Sequence, residues 1–115
     1  MYKAAYLYQA QVVKIIDGDT FDAVVDLGFY VNTLVRFRMY GIDTAEVNDK
    51  DPAMRTLAME AKLFCVDKLL NKSVTLQTYK TDKYGRWLAE AYLPNEEKSV
   101  NTQLLEANLA VPYPV

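Results

Sequence analysis

Three short segments of this 115-residue chain combine residue types that can do chemistry. Ile15-Ile16-Asp17-Gly18-Asp19-Thr20 sets two acids around a glycine. Arg36-Phe37-Arg38-Met39-Tyr40-Gly41-Ile42-Asp43-Thr44-Ala45-Glu46 ends an apolar strand on arginine and follows it with two acids. Thr81-Asp82-Lys83-Tyr84-Gly85-Arg86 places a glycine directly before an arginine. Each has an ordinary reading on its own: a hairpin turn built on Asp-Gly, a solvated strand end with a polar loop, and a hairpin with a snorkelling arginine. Together they suit phosphodiester cleavage, which needs a polarised phosphoryl oxygen, an activated water and charge stabilisation of the transition state. A hard cation on Asp19 and Asp43 answers the first need. Glu46 is placed to orient or deprotonate the water. Arg38 and Arg86 offer planar, bidentate donors to phosphate oxygens, which lysine cannot reproduce. Loss of one such contact should cost roughly 10²–10³ in rate.

Composition narrows the chemistry by exclusion. The chain has no histidine, which removes His bases, Ser-His-Asp and Cys-His constellations and His-based zinc sites. Its single cysteine, Cys65, can neither form an intrachain disulfide nor hold a metal alone, and lies in a helical apolar pattern that predicts a buried thiol. Any metal must therefore sit on oxygen, which points to calcium or magnesium. The net charge of −2 argues against a passive nucleic-acid-coating protein. The acids are uneven, however: eight of the 15 lie between Asp17 and Asp51 against three basic residues there, so an acidic pocket rimmed by basic groups is expected. No apolar run reaches the ~20 residues of a membrane span. The first ten residues carry one lysine and no apolar signal core, so an intracellular or phage-encoded protein is expected.

The elements that must position these residues follow from periodicity. Residues 5–16, rich in Tyr, Val and Ile, read as a strand. After Asp17-Gly18-Asp19, Phe21, Ala23, Val25 and Leu27 alternate as the apolar face of a second. Gly28-Phe29-Tyr30 turns the chain into a third strand over 31–40. There Val31, Thr33, Val35, Phe37 and Met39 share one face, and Leu34, Arg36, Arg38 and Tyr40 lie on the other. Ile42 to Asp51 reads as a loop. Asp51 and Pro52 give a helix start, and Met54, Leu57, Ala58, Ala61, Phe64 and Cys65 carry a helix over 52–70 that stops at Asn71. Strands follow at 73–79 and 86–93, then a last helix capped by Ser99 with Val100, Leu104, Leu105 and Ala107. This β-β-β-α-β-β-α order predicts an α+β, mainly β single domain over 1–115. Its expected architecture is a five-stranded OB-fold barrel with two to three helices.

These segments, in this order and spacing, resemble the staphylococcal (thermonuclease-like) nuclease family over about residues 10–113. The resemblance is carried by Asp17-Gly18-Asp19-Thr20, by Arg38 with Gly41 to Glu46, by Asp82-Lys83-Tyr84-Gly85-Arg86, and by Val100-Asn101 through Leu105 to Asn108-Leu109-Ala110. It implies a calcium-dependent nuclease acting on DNA and RNA. Asp19, Asp43 and the Thr44 carbonyl would hold calcium, Arg38 and Arg86 the scissile phosphate, and Glu46 the water. Lys83 and Tyr84 match residues near the nucleotide's terminal phosphate, and Tyr113 matches a nucleotide-contacting tyrosine across a shorter spacing. Magnesium or another hard cation satisfies the residues equally well. Ala45 departs from the family's common proline, which leaves that loop freer. The chain also stops soon after its last helix, where a second subunit could cover the surface, so both monomer and homodimer are open.

Two rival readings stand beside the enzyme. One is a catalytically weak, nuclease-like OB domain that binds single-stranded nucleic acid or a protein, using some of its nine tyrosines as stacking platforms. A degenerate copy should have lost an arginine or a carboxylate, and Asp19, Arg38, Asp43, Glu46 and Arg86 are all present. The other, a purely structural phage or assembly component, leaves the polar constellation without a purpose.

Overall fold

The computed structural model describes residues 6–114. Strands β1 (Leu7–Asp17), β2 (Thr20–Asp26) and β3 (Asn32–Met39) form an antiparallel meander. β4 (Ile42–Asp43) is a two-residue strand, followed by helix α1 (Pro52–Leu69). β5 (Ser73–Tyr79) and β6 (Trp87–Tyr92) make a hairpin, and α2 (Val100–Glu106) and β7 (Val111–Pro112) complete the chain. The five long strands close into a barrel in the order β1-β2-β3-β6-β5, as expected from the element order. Closure comes from antiparallel β1–β5 pairing and a short parallel contact of β3 with β6, Phe37 to Trp87 through Met39 to Ala89. Two α-helices are present among the described residues.

The barrel core is made by alternation. Phe21, Ala23 and Val25 point inward from β2, Val74 and Leu76 from β5, and Ala89 and Ala91 from β6. In β1 the buried set is Ala10, Val12 and Ile15, so the phase slips once. Register shifts at Val12/Lys14 and Ile15/Asp17 account for the slip, since a bulge adds a residue to one strand. Alternation set Val31 and Thr33 on one face with Phe37 and Met39, and of these Phe37 and Met39 are buried whereas Val31 and Thr33 are exposed. β6 meets β3 only from Phe37 onward, so the first half of β3 runs beyond the closed wall.

Helix α1 starts as its sequence predicts. The Asp51 carboxylate accepts the Ala53 N–H at 2.9 Å, and Pro52 fills the first turn without leaving an orphan donor. Ala58, Ala61, Cys65 and Leu69 form its buried stripe. Asn71 takes a left-handed φ of 61° and ends the run. The Ser99 hydroxyl accepts the Thr102 N–H at 3.1 Å and caps α2.

Two short elements escaped the sequence. The stretch from Ile42, read as loop, opens with β4, which pairs with β7 through Ile42–Pro112 and Asp43–Val111. Two residues per strand are too few for a period-two pattern to register.

Candidate active site

Asp19 sits at the β1–β2 junction. Its neighbour Gly18 is needed there for space: a Cβ would lie 2.7 Å from the Ala61 Cβ and 3.0 Å from the Thr44 side chain. The junction is thereby pressed against both α1 and the segment after β4. The buried Cys65 thiol donates to the Gly18 carbonyl at 3.3 Å, and burial pushes its pKa up to about 12. The expected inert structural thiol is what the fold contains.

The Asp19 carboxylate is almost fully engaged. Oδ1 accepts the Thr20 hydroxyl at 3.1 Å and Oδ2 accepts the Thr44 N–H at 3.2 Å. Arg38 Nη1 lies 3.3 Å from Oδ2. Arg38 Nη1 also donates to the Ile42 carbonyl at 3.1 Å, and Nη2 donates to Asp43 Oδ1 at 3.1 Å. Arg38 is 7% exposed and Asp19 9%, so this is a charge cluster largely withdrawn from water. Such a group is tolerated only when each charge is partnered.

The acids divide according to their surroundings. Burial opposes ionisation of Asp19, but hydrogen bonding with Asp17, the Arg38 charge and the Thr44 N–H together hold its pKa below the ordinary value. Asp17 pays for that arrangement: burial and its close approach to Asp19 push it up to about 6. Asp43 is also raised, first by burial and then, against the pull of Arg38, by the Asp19 charge. Two carboxylates that repel one another and present only oxygen fit a hard cation. Asp19, Asp43 and the Thr44 backbone are the residues that could hold it. No set of three acidic or sulfur side chains converges to form a self-sufficient metal cage among the described residues.

Alternation set Arg36 and Arg38 on one face of β3, yet their environments differ completely. Arg36 is exposed and pairs with Asp22 across the strands, Nε–Oδ1 2.7 Å. Arg38 lies where β6 joins β3 and is enclosed.

Tyr113 reaches the site through β7. Its N–H donates to the Gly41 carbonyl at 2.9 Å, and the Arg38 guanidinium lies over its ring at 5.2 Å. Arg86 approaches from the β5–β6 turn, where Asp82 organises the loop. One Asp82 oxygen accepts the Tyr84 and Arg86 N–H groups, each at 2.9 Å. The other accepts Arg86 Nε at 2.8 Å and lies 2.7 Å from Nη2. The Tyr84 ring packs beneath that guanidinium at 5.3 Å, with Lys83 over the same ring at 5.2 Å. Arg86 remains partly open to solvent, and an exposed pair of this kind exchanges partners at little cost.

Arg38, Arg86, Lys83, Tyr84 and Tyr113 all line one cleft of about 550 Å³. Glu46 stands apart from them. It is exposed on the loop after β4 and borders a separate shallow depression with Asn48, Asp49 and Lys50. The fold therefore gathers Asp19, Arg38, Asp43 and Thr44 closely, lets Arg38 alone of these line the cleft shared with Arg86 and the tyrosines, and leaves Glu46 outside.

Sequence reasoning missed three supports. Asp82 orients Arg86, and its position four residues ahead of that arginine in a turn was the available signal. Asn101, noticed only as part of a motif, is buried and pins the end of β3 to β6. Its Nδ2 donates to the Tyr40 carbonyl at 2.9 Å and the Ala89 carbonyl at 3.1 Å, while Oδ1 accepts the Ala91 N–H at 3.1 Å. The third is a stacked pair, Tyr40 on Tyr79, that forms another wall of the cleft; nothing local marked it.

A micrococcal nuclease of Shigella flexneri is 28% identical over 101 residues, covering 88% of this chain and 52% of that protein. A probable endonuclease of Schizosaccharomyces pombe is 33% identical over 87 residues, 71% of this chain and 38% of that protein. An uncharacterized protein of Methanocaldococcus jannaschii is 28% identical over 114 residues, 82% of this chain and 53% of that protein. The chain spans about half the length of the first of the curated relatives it matches. The family model described as staphylococcal nuclease homologue matches residues 36–115. With that match over more than half its length, the chain belongs to the staphylococcal nuclease homologue family.

Proposed function

We propose that this protein is a metal-dependent nuclease that hydrolyses phosphodiester bonds in DNA and RNA, with calcium as its cation. The observation that carries the reading is the burial of Arg38 between Asp19 and Asp43 at the edge of the cleft that Arg86 also lines. A hard cation held by Asp19, Asp43 and the Thr44 carbonyl supplies polarisation of a phosphoryl oxygen when bound. Arg38, held among three protein oxygens, turns part of its guanidinium to a phosphate oxygen when the cation takes up the Asp19 and Asp43 carboxylates. Arg86 exchanges its bond to Asp82 for a second phosphate oxygen. Lys83 and Tyr84 attend the flanking phosphate, and Tyr113 the nucleotide beside Arg38. Glu46 positions the attacking water, a task that requires its loop to close toward Asp43. The family relationship and the names of the nuclease relatives support the nuclease part of this reading.

The test is incubation with single-stranded DNA in calcium and in excess chelator, from pH 7 to pH 10. Cleavage in calcium alone is expected. Its absence at every pH defeats the enzyme reading. The outlying position of Glu46 favours a second reading, a nuclease-like OB domain that binds nucleic acid without cutting it. Binding that persists in that experiment without cleavage identifies it.

A further inference from the structure

The cleft has two aromatic walls of different character. Tyr84 and Tyr113 each have a guanidinium over one face of the ring. The Tyr40–Tyr79 pair is stacked at 3.8 Å between centroids with 12° between planes, and no cation covers it among the described cation–π contacts. It faces the same space as Arg38 and Arg86.

Strand register fixes where this pair stands. Leu88 is the cross-strand partner of Arg38 on one side and of Tyr79 on the other. Arg38, Leu88 and Tyr79 thus form one row across β3, β6 and β5, with the outer two residues about 10 Å apart, or two strand spacings. Glu90 secures the far end of the row. The Tyr79 hydroxyl donates to its Oε1, and the Tyr92 hydroxyl donates to Oε2 at 3.3 Å. Burial and the Glu90 carboxylate both raise the Tyr79 pKa, so the phenol stays protonated and keeps that bond. Its hydroxyl being so occupied, Tyr79 offers a ligand mainly its ring. Tyr40 is held in turn by the Asn101 bond to its carbonyl and by its N–H donating to the Ala89 carbonyl at 2.9 Å.

We propose that Tyr40 and Tyr79 form a base-stacking platform for a nucleotide flanking the phosphate held by Arg38, with Glu90 as its positioning residue. This rests on the nuclease reading for the location of the phosphate. A stacked aromatic pair accepts any base through its π-face, so the platform selects single-stranded nucleic acid over duplex and has little sequence preference.

The test couples a ring on the protein to a base on the ligand. A fluorescein-labelled oligothymidylate and a set of copies, each with one abasic position, are titrated by anisotropy in excess chelator, so that turnover plays no part. Removing the base at the flanking position should weaken binding to the wild type about 5- to 100-fold. In Tyr79→Leu and Tyr40→Leu the same abasic change should cost less than about 2-fold, the signature of a coupled pair. Thermal melting checks that each variant is folded. Tyr79→Phe retains the ring and keeps most of the abasic penalty, while Glu90→Gln retains an intermediate one. An equal abasic penalty in wild type and Leu variants, or none at any position in the wild type, overturns the platform. Failure to cut DNA in calcium with the coupling intact defeats the nuclease reading alone.

Discussion

Replacing Arg38 with methionine tests the centre of the site. The change retains an unbranched apolar stem and removes the guanidinium, which interacts with Asp19, Asp43 and the Ile42 carbonyl. Removing one member of a buried charge cluster costs about 3–5 kcal/mol, because its partners are left uncompensated. Asp43 has a 43% exposed side chain and recovers water, whereas Asp19 at 12% does not. The lower figure, about 3 kcal/mol, is therefore expected at pH 7, or a fall in Tm on the order of 10 °C. Asp19 has a lowered pKa in the fold, so its contribution is present above the ordinary 3.8 and is lost as pH falls through the folded value. The penalty of Arg38→Met should accordingly be full at neutral pH and shrink below about pH 4. Calcium supplies replacement charge, so it should raise the Tm of the variant by more than that of the wild type. Circular-dichroism melts at several pH values, with calcium and with chelator, read all three effects. A neutral-pH penalty under about 1 kcal/mol, or one that stays constant into acid, refutes the buried, coupled cluster.

Three further outcomes follow from the same geometry. Arg86→Ala should reduce turnover by roughly 10²–10³ with little change in Tm, since its pair with Asp82 is partly exposed; near-normal turnover removes it from the site. In chelator, Asp17→Asn should stabilise the protein by about 1 kcal/mol at neutral pH, after allowance for solvent screening. Because Asp17 is raised from 3.8 to about 6, that advantage should grow as pH rises across this window and then level off; a pH-independent difference contradicts it. Asn101→Leu takes the side-chain partner from the Tyr40 carbonyl and the Ala91 N–H, while the Ala89 carbonyl keeps its bond from the Tyr40 N–H, and should cost about 3 kcal/mol in urea unfolding; a loss below about 1 kcal/mol means water satisfies those groups.

Much of the scaffold was written in local patterns. Period-two alternation marked β2 because it has one face on the core and the other turned toward solvent. Asp51-Pro52, Asn71 and Ser99 marked helix ends because capping is a short-range hydrogen-bonding problem. The absence of histidine limited any metal to oxygen ligands, and the ordered motifs named Asp19, Arg38, Asp43 and Arg86. The sequence alone thus determined the order of the five barrel strands and two helices, and limited any metal to oxygen donors. Tertiary structure decided which candidates meet. Arg36 and Arg38 share a strand face and differ only in whether β6 lies alongside, a long-range pairing that no local period encodes. Gly18 had the look of a turn glycine, and the fold uses it for the close approach of α1. Tyr113 reaches Arg38 through two-residue strands, and Tyr40 meets Tyr79 across a barrel wall. Glu46, named by its spacing, stands on an exposed loop whose conformation spacing does not set. Alternation and capping act within a few residues, whereas charge pairing and ring stacking depend on distances that exist only once the barrel has closed.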